Sequence, residues 1–100
     1  MCEVRFEWDK NKAETNIRKH GVSFEEAQTV FRDPLAFIFD DEAHSLNERR
    51  EIVIGHSESN RLLIVCFTEE TEDAVRIFSS RPAVRKECKD YEENTMFGIG

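Results

Sequence analysis

Arg61-Leu62-Leu63-Ile64-Val65-Cys66-Phe67 decides the fold of this chain. A continuous apolar run of this kind suits a β-strand buried on both faces. It follows a turn-like Ser57–Asn60 and precedes a polar turn, Glu69–Asp73. Ala74–Ser80 then reads as the last strand. Residues 83–94 read as a helix, with Ala83, Val84, Cys88 and Tyr91 inward. Upstream, Ile52–Ile54 and Leu35–Phe39 read as strands, joined by an acidic loop through Asn47. Earlier still, Ser23 opens a helix with Glu26 as a capping-box partner. Phe24, Ala27, Val30 and Phe31 form its stripe, and Asp33-Pro34 ends it. Asp9 caps a preceding helix whose face carries Ala13, Asn16, Ile17 and His20. Gly21 terminates it, with Arg18 and Lys19 in the last turn. Val4, Phe6 and Trp8 alternate with Arg5 and Glu7, as in a half-buried strand.

The order is therefore strand, two helices, four strands, helix. Short connections between the last four strands imply an antiparallel meander. Helices covering one face would complete an α+β domain. At 100 residues the chain is one domain with one core and little stability to spare. The core is expected over about residues 4–93, with a flexible tail at 94–100.

Composition narrows the function. No segment approaches the ~20 apolar residues of a membrane span. Met1-Cys2-Glu3-Val4-Arg5 carries no signal-peptide profile. Cys2, Cys66 and Cys88 offer no close pair, which fits a reducing cytoplasm rather than a disulfide framework or zinc site. The net charge of −7 opposes simple nucleic-acid binding until it is located. Asp40, Asp41 and Glu42 form one acidic cluster, and Glu69, Glu70, Glu72 and Asp73 another; together they hold the whole excess. Cations concentrate instead at Lys10, Lys12, Arg18 and Lys19, and at Arg76, Arg81, Arg85, Lys86 and Lys89. A basic cleft on an acidic body fits this distribution.

The cations of the last strand and helix are the main chemical candidates. Strand alternation without a bulge puts Arg76 and Phe78 on one side, and Val75, Ile77, Ser79 and Arg81 on the other. Guanidinium groups suit phosphate, with forked donors and a permanent charge. The same residues are equally readable as a solvated face, with Arg76 paired to a carboxylate. His44-Ser45-Leu46-Asn47-Glu48-Arg49-Arg50 joins an acid/base group, a carboxylate and cations in one loop. It also reads as a polar hairpin connection. Asp40, Asp41, Glu42 and His44 lack any ligand spacing, so no metal is expected. Trp8 and Tyr91 are core residues or platforms for a stacked base.

Several blocks resemble the BrnT family of bacterial toxins, over roughly residues 5–93. They are Phe6-Glu7-Trp8-Asp9 with Lys12-Ala13; Lys19-His20-Gly21-Val22 with Phe24-Glu25-Glu26-Ala27; and Asp33-Pro34-Leu35. Further along come His44-Ser45 with Glu48 and Arg50, Ile54-Gly55, and Arg76-Ile77 with Ser79, Arg81, Glu87, Tyr91 and Glu92. Their order and spacing carry the similarity. The resemblance implies a compact RelE-like ribonuclease fold, metal-independent RNA cleavage and no cofactor. It implies a BrnA-type antitoxin with a ribbon-helix-helix domain, through which the complex would reach operator DNA. Arg50, Arg76 and Arg81 are then expected to contact phosphate and transition-state charge. His44 or Glu48 is expected to move a proton, and Tyr91 to donate a hydrogen bond or stack. Lys12, Lys19, Arg85 and Lys86 are expected to position RNA. The chain departs from the pattern at Ser80, at Pro82 and Cys88 where cations are common, and at Val84 where Thr is common. Arg49 and Glu51 replace an acid and an apolar residue, and Pro82 suits the first turn of the last helix. Two other functions fit the same residues. One is a catalytically weak subunit that binds its antitoxin and aids autorepression. The other is an RNA-binding module without cleavage.

Overall fold

The computed structural model describes residues 4–41 and 49–97. Strand β1 (Arg5–Glu7) is followed by helix α1 (Lys10–His20) and helix α2 (Phe24–Thr29), which tightens into a single 3-10 turn at Val30–Arg32. Strands β2 (Phe37–Asp40), β3 (Glu51–His56), β4 (Leu62–Thr71) and β5 (Ala74–Pro82) come next, then helix α3 (Arg85–Phe97). The sheet order is β1-β5-β4-β3-β2. The last four strands form the antiparallel meander. β1 adds to it in parallel, beside Ala74–Arg76.

Local chemistry sets the helix ends. Asp9 accepts from the Asn11 and Lys12 amides, and Gly21 closes α1 at φ 68° with its N–H on Ile17 O. Ser23 Oγ accepts from the Glu26 amide, so half of the capping box forms. The Glu26 carboxylate does not reach back. It takes Arg61 and Ser57 instead, clamping α2 to the β3–β4 turn. The Arg61 bonds, with help from Ser57, hold its pKa below the ordinary value against the opposing effect of burial.

β4 is covered on both sides, as its apolar run requires. On one face, Leu63, Val65 and Phe67 join Val53, Val75 and Ile77 beneath Val22, Phe24, Ala27 and Val30. On the other, Ile54 and Ile64 pack against Tyr91 of α3. The expectation that the helices share one face is corrected. The period-2 register sends alternate β3 and β4 residues to opposite faces, and both sets are apolar. At Gly55 a Cβ would meet Ala36 Cβ at 2.7 Å, so glycine lets β3 approach the chain after the 3-10 turn.

Three boundary details also differ. β4 continues through Glu69 and Glu70 to Thr71, because backbone pairing with β5 carries an exposed strand end whatever its side chains. Pro82 is the last residue of β5, not in the first turn of α3. It stands beyond the part of β5 that β1 pairs, where no ladder N–H is needed. α3 starts at Arg85, leaving Val84 exposed ahead of it, and runs past the expected end to Phe97.

Candidate nucleic-acid interface

The cationic face begins with a bulge. Thr68 lies opposite Arg76 and Phe67 opposite Ile77, but Cys66 then lies opposite Ser79, so Phe78 is the extra residue. A bulge shifts the side-chain alternation by one. Ile77 and Ser80 therefore both point into the α1/α2 face, where Ser80 is fully buried opposite Val65. Arg76, Ser79 and Arg81 all emerge on the other face. Unbroken alternation would have separated Arg76 from Arg81; the bulge brings them together.

Around this floor the cations gather. Arg50 stacks its guanidinium over the Phe78 ring, 4.2 Å from the centroid. Lys12 of α1 contacts the same ring, its Nζ 5.3 Å from the centroid. Arg50 and Arg81 both act electrostatically on the Cys66 thiol, which places them around one spot. Burial nevertheless pushes that thiol above its ordinary pKa, so Cys66 is a neutral part of the floor. Asp41, itself buried, lies 3.9 Å from the sulfur.

Acidic partners hold two of the arginines. Arg81 donates two 2.7 Å bonds to Glu87, a forked pair across β5 and α3. Glu87 also accepts from the Val84 amide, fixing the first turn of α3. The Arg81 bonds draw the Glu87 pKa down and raise that of Arg81. Arg76 Nη1 stands 3.8 Å from Glu70, at the acidic end of the β4–β5 hairpin. A recess of about 540 Å³ lies there between Arg49, Thr68, Glu69, Glu70 and Arg76. Glu69 and Glu70 thus close one end of the cationic set.

A second recess, about 360 Å³, runs between α1 and β5, lined by Lys12, Lys19, His20, Phe78 and Ser79 among others. Lys12 and Lys19 therefore flank the Phe78 side of the face. Asn16 fixes this wall. Its Nδ2 donates to Val22 O and Ser80 O, and its Oδ1 accepts from the Ser80 amide. Arg85 and Lys86 lie exposed on the first turn of α3, beside Glu87. His44 and Glu48 lie outside the described residues.

Tyr91 stands elsewhere in the arrangement. It is buried, stacked on Phe37, and donates a 2.8 Å bond to Asp33 Oδ2. Burial and the Asp33 carboxylate push its pKa up to about 12. The same Asp33 oxygen accepts from the His56 amide, and the His56 ring nitrogen Nδ1 is 3.3 Å from the Tyr91 hydroxyl. Burial raises the Asp33 pKa, but the bonds from His56, Leu35 and Tyr91 outweigh it and hold it low. Trp8 packs edge-on against Phe24, within the core. Phe78, Asn16, Glu87 and the Asp33–His56 pair carry the geometry of these sites. Of these, Asp33 and Glu87 had a sequence signal, as parts of the family resemblance.

A mixed five-stranded sheet, helices on both faces and a cation-rimmed open face make this a compact α+β domain. Residues 8–87 match the family described as ribonuclease toxin, BrnT, of type II toxin-antitoxin system. The crystal structure of the Brucella abortus ribonuclease toxin BrnT superposes with a TM-score of 0.63 at 25% identity, covering 85% of this chain and 100% of that one. A comparison with curated proteins gave no match. The chain belongs to the BrnT family of ribonuclease toxins of type II toxin–antitoxin systems. Among the described residues, no helix is long and apolar enough to cross a membrane.

Proposed function

We propose that the protein is a metal-independent endoribonuclease that arrests growth from the cytoplasm. A BrnA-type ribbon-helix-helix antitoxin would neutralise it and carry the complex to operator DNA. The observation that carries this reading is the bulge at Phe78, which turns Arg76 and Arg81 onto the face that Arg50 reaches. In such a reaction the RNA 2′-hydroxyl attacks the adjacent phosphorus and the bond to the 5′-oxygen breaks. One proton leaves the 2′-oxygen and one reaches the departing oxygen. The protein has to hold the phosphate, offset charge on the pentacoordinate transition state and assist those transfers.

Arg50, Arg76 and Arg81 supply the charge in this reading. Arg81 is held ready by Glu87, and Arg50 by its stack on Phe78. Lys12 and Lys19 guide the strand along the α1 wall, and Arg85 and Lys86 extend the positive surface at α3. His44 or Glu48 moves the proton. Tyr91 supports the face through Asp33 rather than by stacking, since both its ring and its hydroxyl are engaged. Expression in cells tests the proposal. Growth arrest by the wild type, lost in Arg50→Ala or Arg76→Ala proteins that still fold and bind antitoxin, is the expected result. Arrest that survives both substitutions would remove these arginines from the machinery. No arrest by the wild type, with antitoxin bound normally, would favour the weak interaction subunit.

A further inference from the structure

A further recess opens on the sheet face opposite the cationic floor. It measures about 650 Å³ and runs under the overhanging end of β4 on the α1/α2 side of the sheet. Val4, Phe6, Phe31 and Ile38 give it apolar walls, and Glu69 and Glu72 stand on its rim. Val4 and Ile38 are about half exposed, 46% and 50%, although the core is within reach. Arg32 is the one cation among the lining residues. The rim belongs to the hairpin end that holds Glu69, Glu70, Glu72 and Asp73, half of the molecule's acidic clusters and the larger of the two. Glu69 and Glu72 are both exposed, and Glu69 acts electrostatically on Arg49.

We propose that this groove is the docking site for a basic amphipathic segment of the antitoxin, resting on the toxin reading above. The chemistry of the groove selects the occupant. Apolar walls take the apolar stripe of a helix or strand, and an acidic rim takes the Lys or Arg side chains that flank it. RNA is repelled by that rim, and a second copy presenting the same groove across a two-fold axis would bring acid against acid. Glu69 borders both this groove and the recess at Arg76. A segment seated in the groove lies on the sheet face opposite Arg76 and meets that recess only at Glu69.

The test uses the full chain and the antitoxin co-expressed from the adjacent reading frame. Ile38→Glu and the pair Glu69→Lys/Glu72→Lys change exposed side chains, and thermal unfolding verifies each fold. Calorimetric titration should show antitoxin affinity falling about tenfold or more in each. The charge-reversed pair should also lose the salt dependence of binding. Arg50→Ala/Arg76→Ala should stay within about twofold of wild type. Ile38→Glu, remote from the cationic face, should still cleave RNA but escape inhibition. Wild-type affinity in folded groove variants would overturn the assignment while leaving the ribonuclease reading intact. Self-association of the wild type, abolished by the groove changes with antitoxin binding untouched, would assign the groove to a second copy and overturn it equally. A wild-type chain that binds no such antitoxin would overturn the reading beneath it as well.

Discussion

Asn16→Ala should cost far more than its single missing amide suggests. Asn16 is a buried polar residue of α1, and it bonds to three backbone groups: Val22 O at 2.9 Å, Ser80 O at 2.7 Å and the Ser80 amide at 3.1 Å. Ser80 follows the bulge, so this one side chain fixes α1 against the part of β5 that presents Ser79 and Arg81. Alanine leaves the Ser80 N–H buried without its acceptor and takes the donor from two carbonyls. An orphaned buried group costs about 1–3 kcal/mol, and a carbonyl with a second lone pair costs less. The sum is about 3 kcal/mol, a large share of the stability of a domain this size. At about 4–8 °C per kcal/mol, Tm should fall by roughly 12–24 °C. Circular dichroism during heating, with urea titration at one temperature, measures it.

Asn16→Asp sharpens the same test. It keeps the shape but directs a carboxylate at two carbonyl oxygens, so ionisation is disfavoured in the fold and its folded pKa rises. Its deficit against wild type should be greatest at neutral pH, above that folded pKa. The deficit should shrink as the pH falls through it. A loss below about 1 kcal/mol for Asn16→Ala would refute the argument that these three bonds dock α1.

Other consequences are as direct. Glu51 lies opposite Phe67 on the core side, and burial, then the nearby Glu69, raises its pKa. The ionised form therefore costs stability at neutral pH, and the cost is relieved as the pH falls through its raised folded pKa. Glu51→Gln should raise Tm at pH 7 by more than in mild acid, which paired melts at the two pH values would show. Val84 stands just before α3, its carbonyl accepting the first helical bond from Cys88. Val84→Thr should add about 0.5–1 kcal/mol by capping, read from urea midpoints. Tyr91→Phe removes one of the bonds that depress the Asp33 pKa, at a cost of about 1–2 kcal/mol. Asp33 stabilises the fold above its unfolded pKa and loses that contribution as pH falls through its folded one. Acid unfolding of Tyr91→Phe should accordingly begin at higher pH.

Much of this architecture was legible because it rests on patterns that repeat along the chain. Leu62–Phe67 announced a strand covered on both faces, and it is covered by α1 and α2 on one side and α3 on the other. Asp9, Gly21 and Ser23 fixed helix ends through bonds that need only the local backbone. What stayed hidden depends on partners distant in sequence. Ile17 fits the apolar face of α1, yet it is half exposed because Asn16 makes the docking contact 64 residues away. Strand periodicity assigns Arg76 and Arg81 to opposite faces, and only the register against β4 reveals the bulge that reunites them. Tyr91 looked available for RNA, but its ring and hydroxyl are engaged by Phe37 and Asp33 from elements far upstream. Arginines read as phosphate ligands also carry structural bonds: Arg81 holds the first turn of α3 through Glu87.

RNA cleavage in EDTA by purified, antitoxin-free protein tests the central claim most directly. The control is an Arg50→Ala/Arg76→Ala variant whose fold is verified by the same melts. Cleavage by the wild type alone is the expected result, and it would locate a metal-independent ribonuclease on the face assembled by the Phe78 bulge. Intact RNA with the wild type, or equal cleavage by the variant, would contradict it.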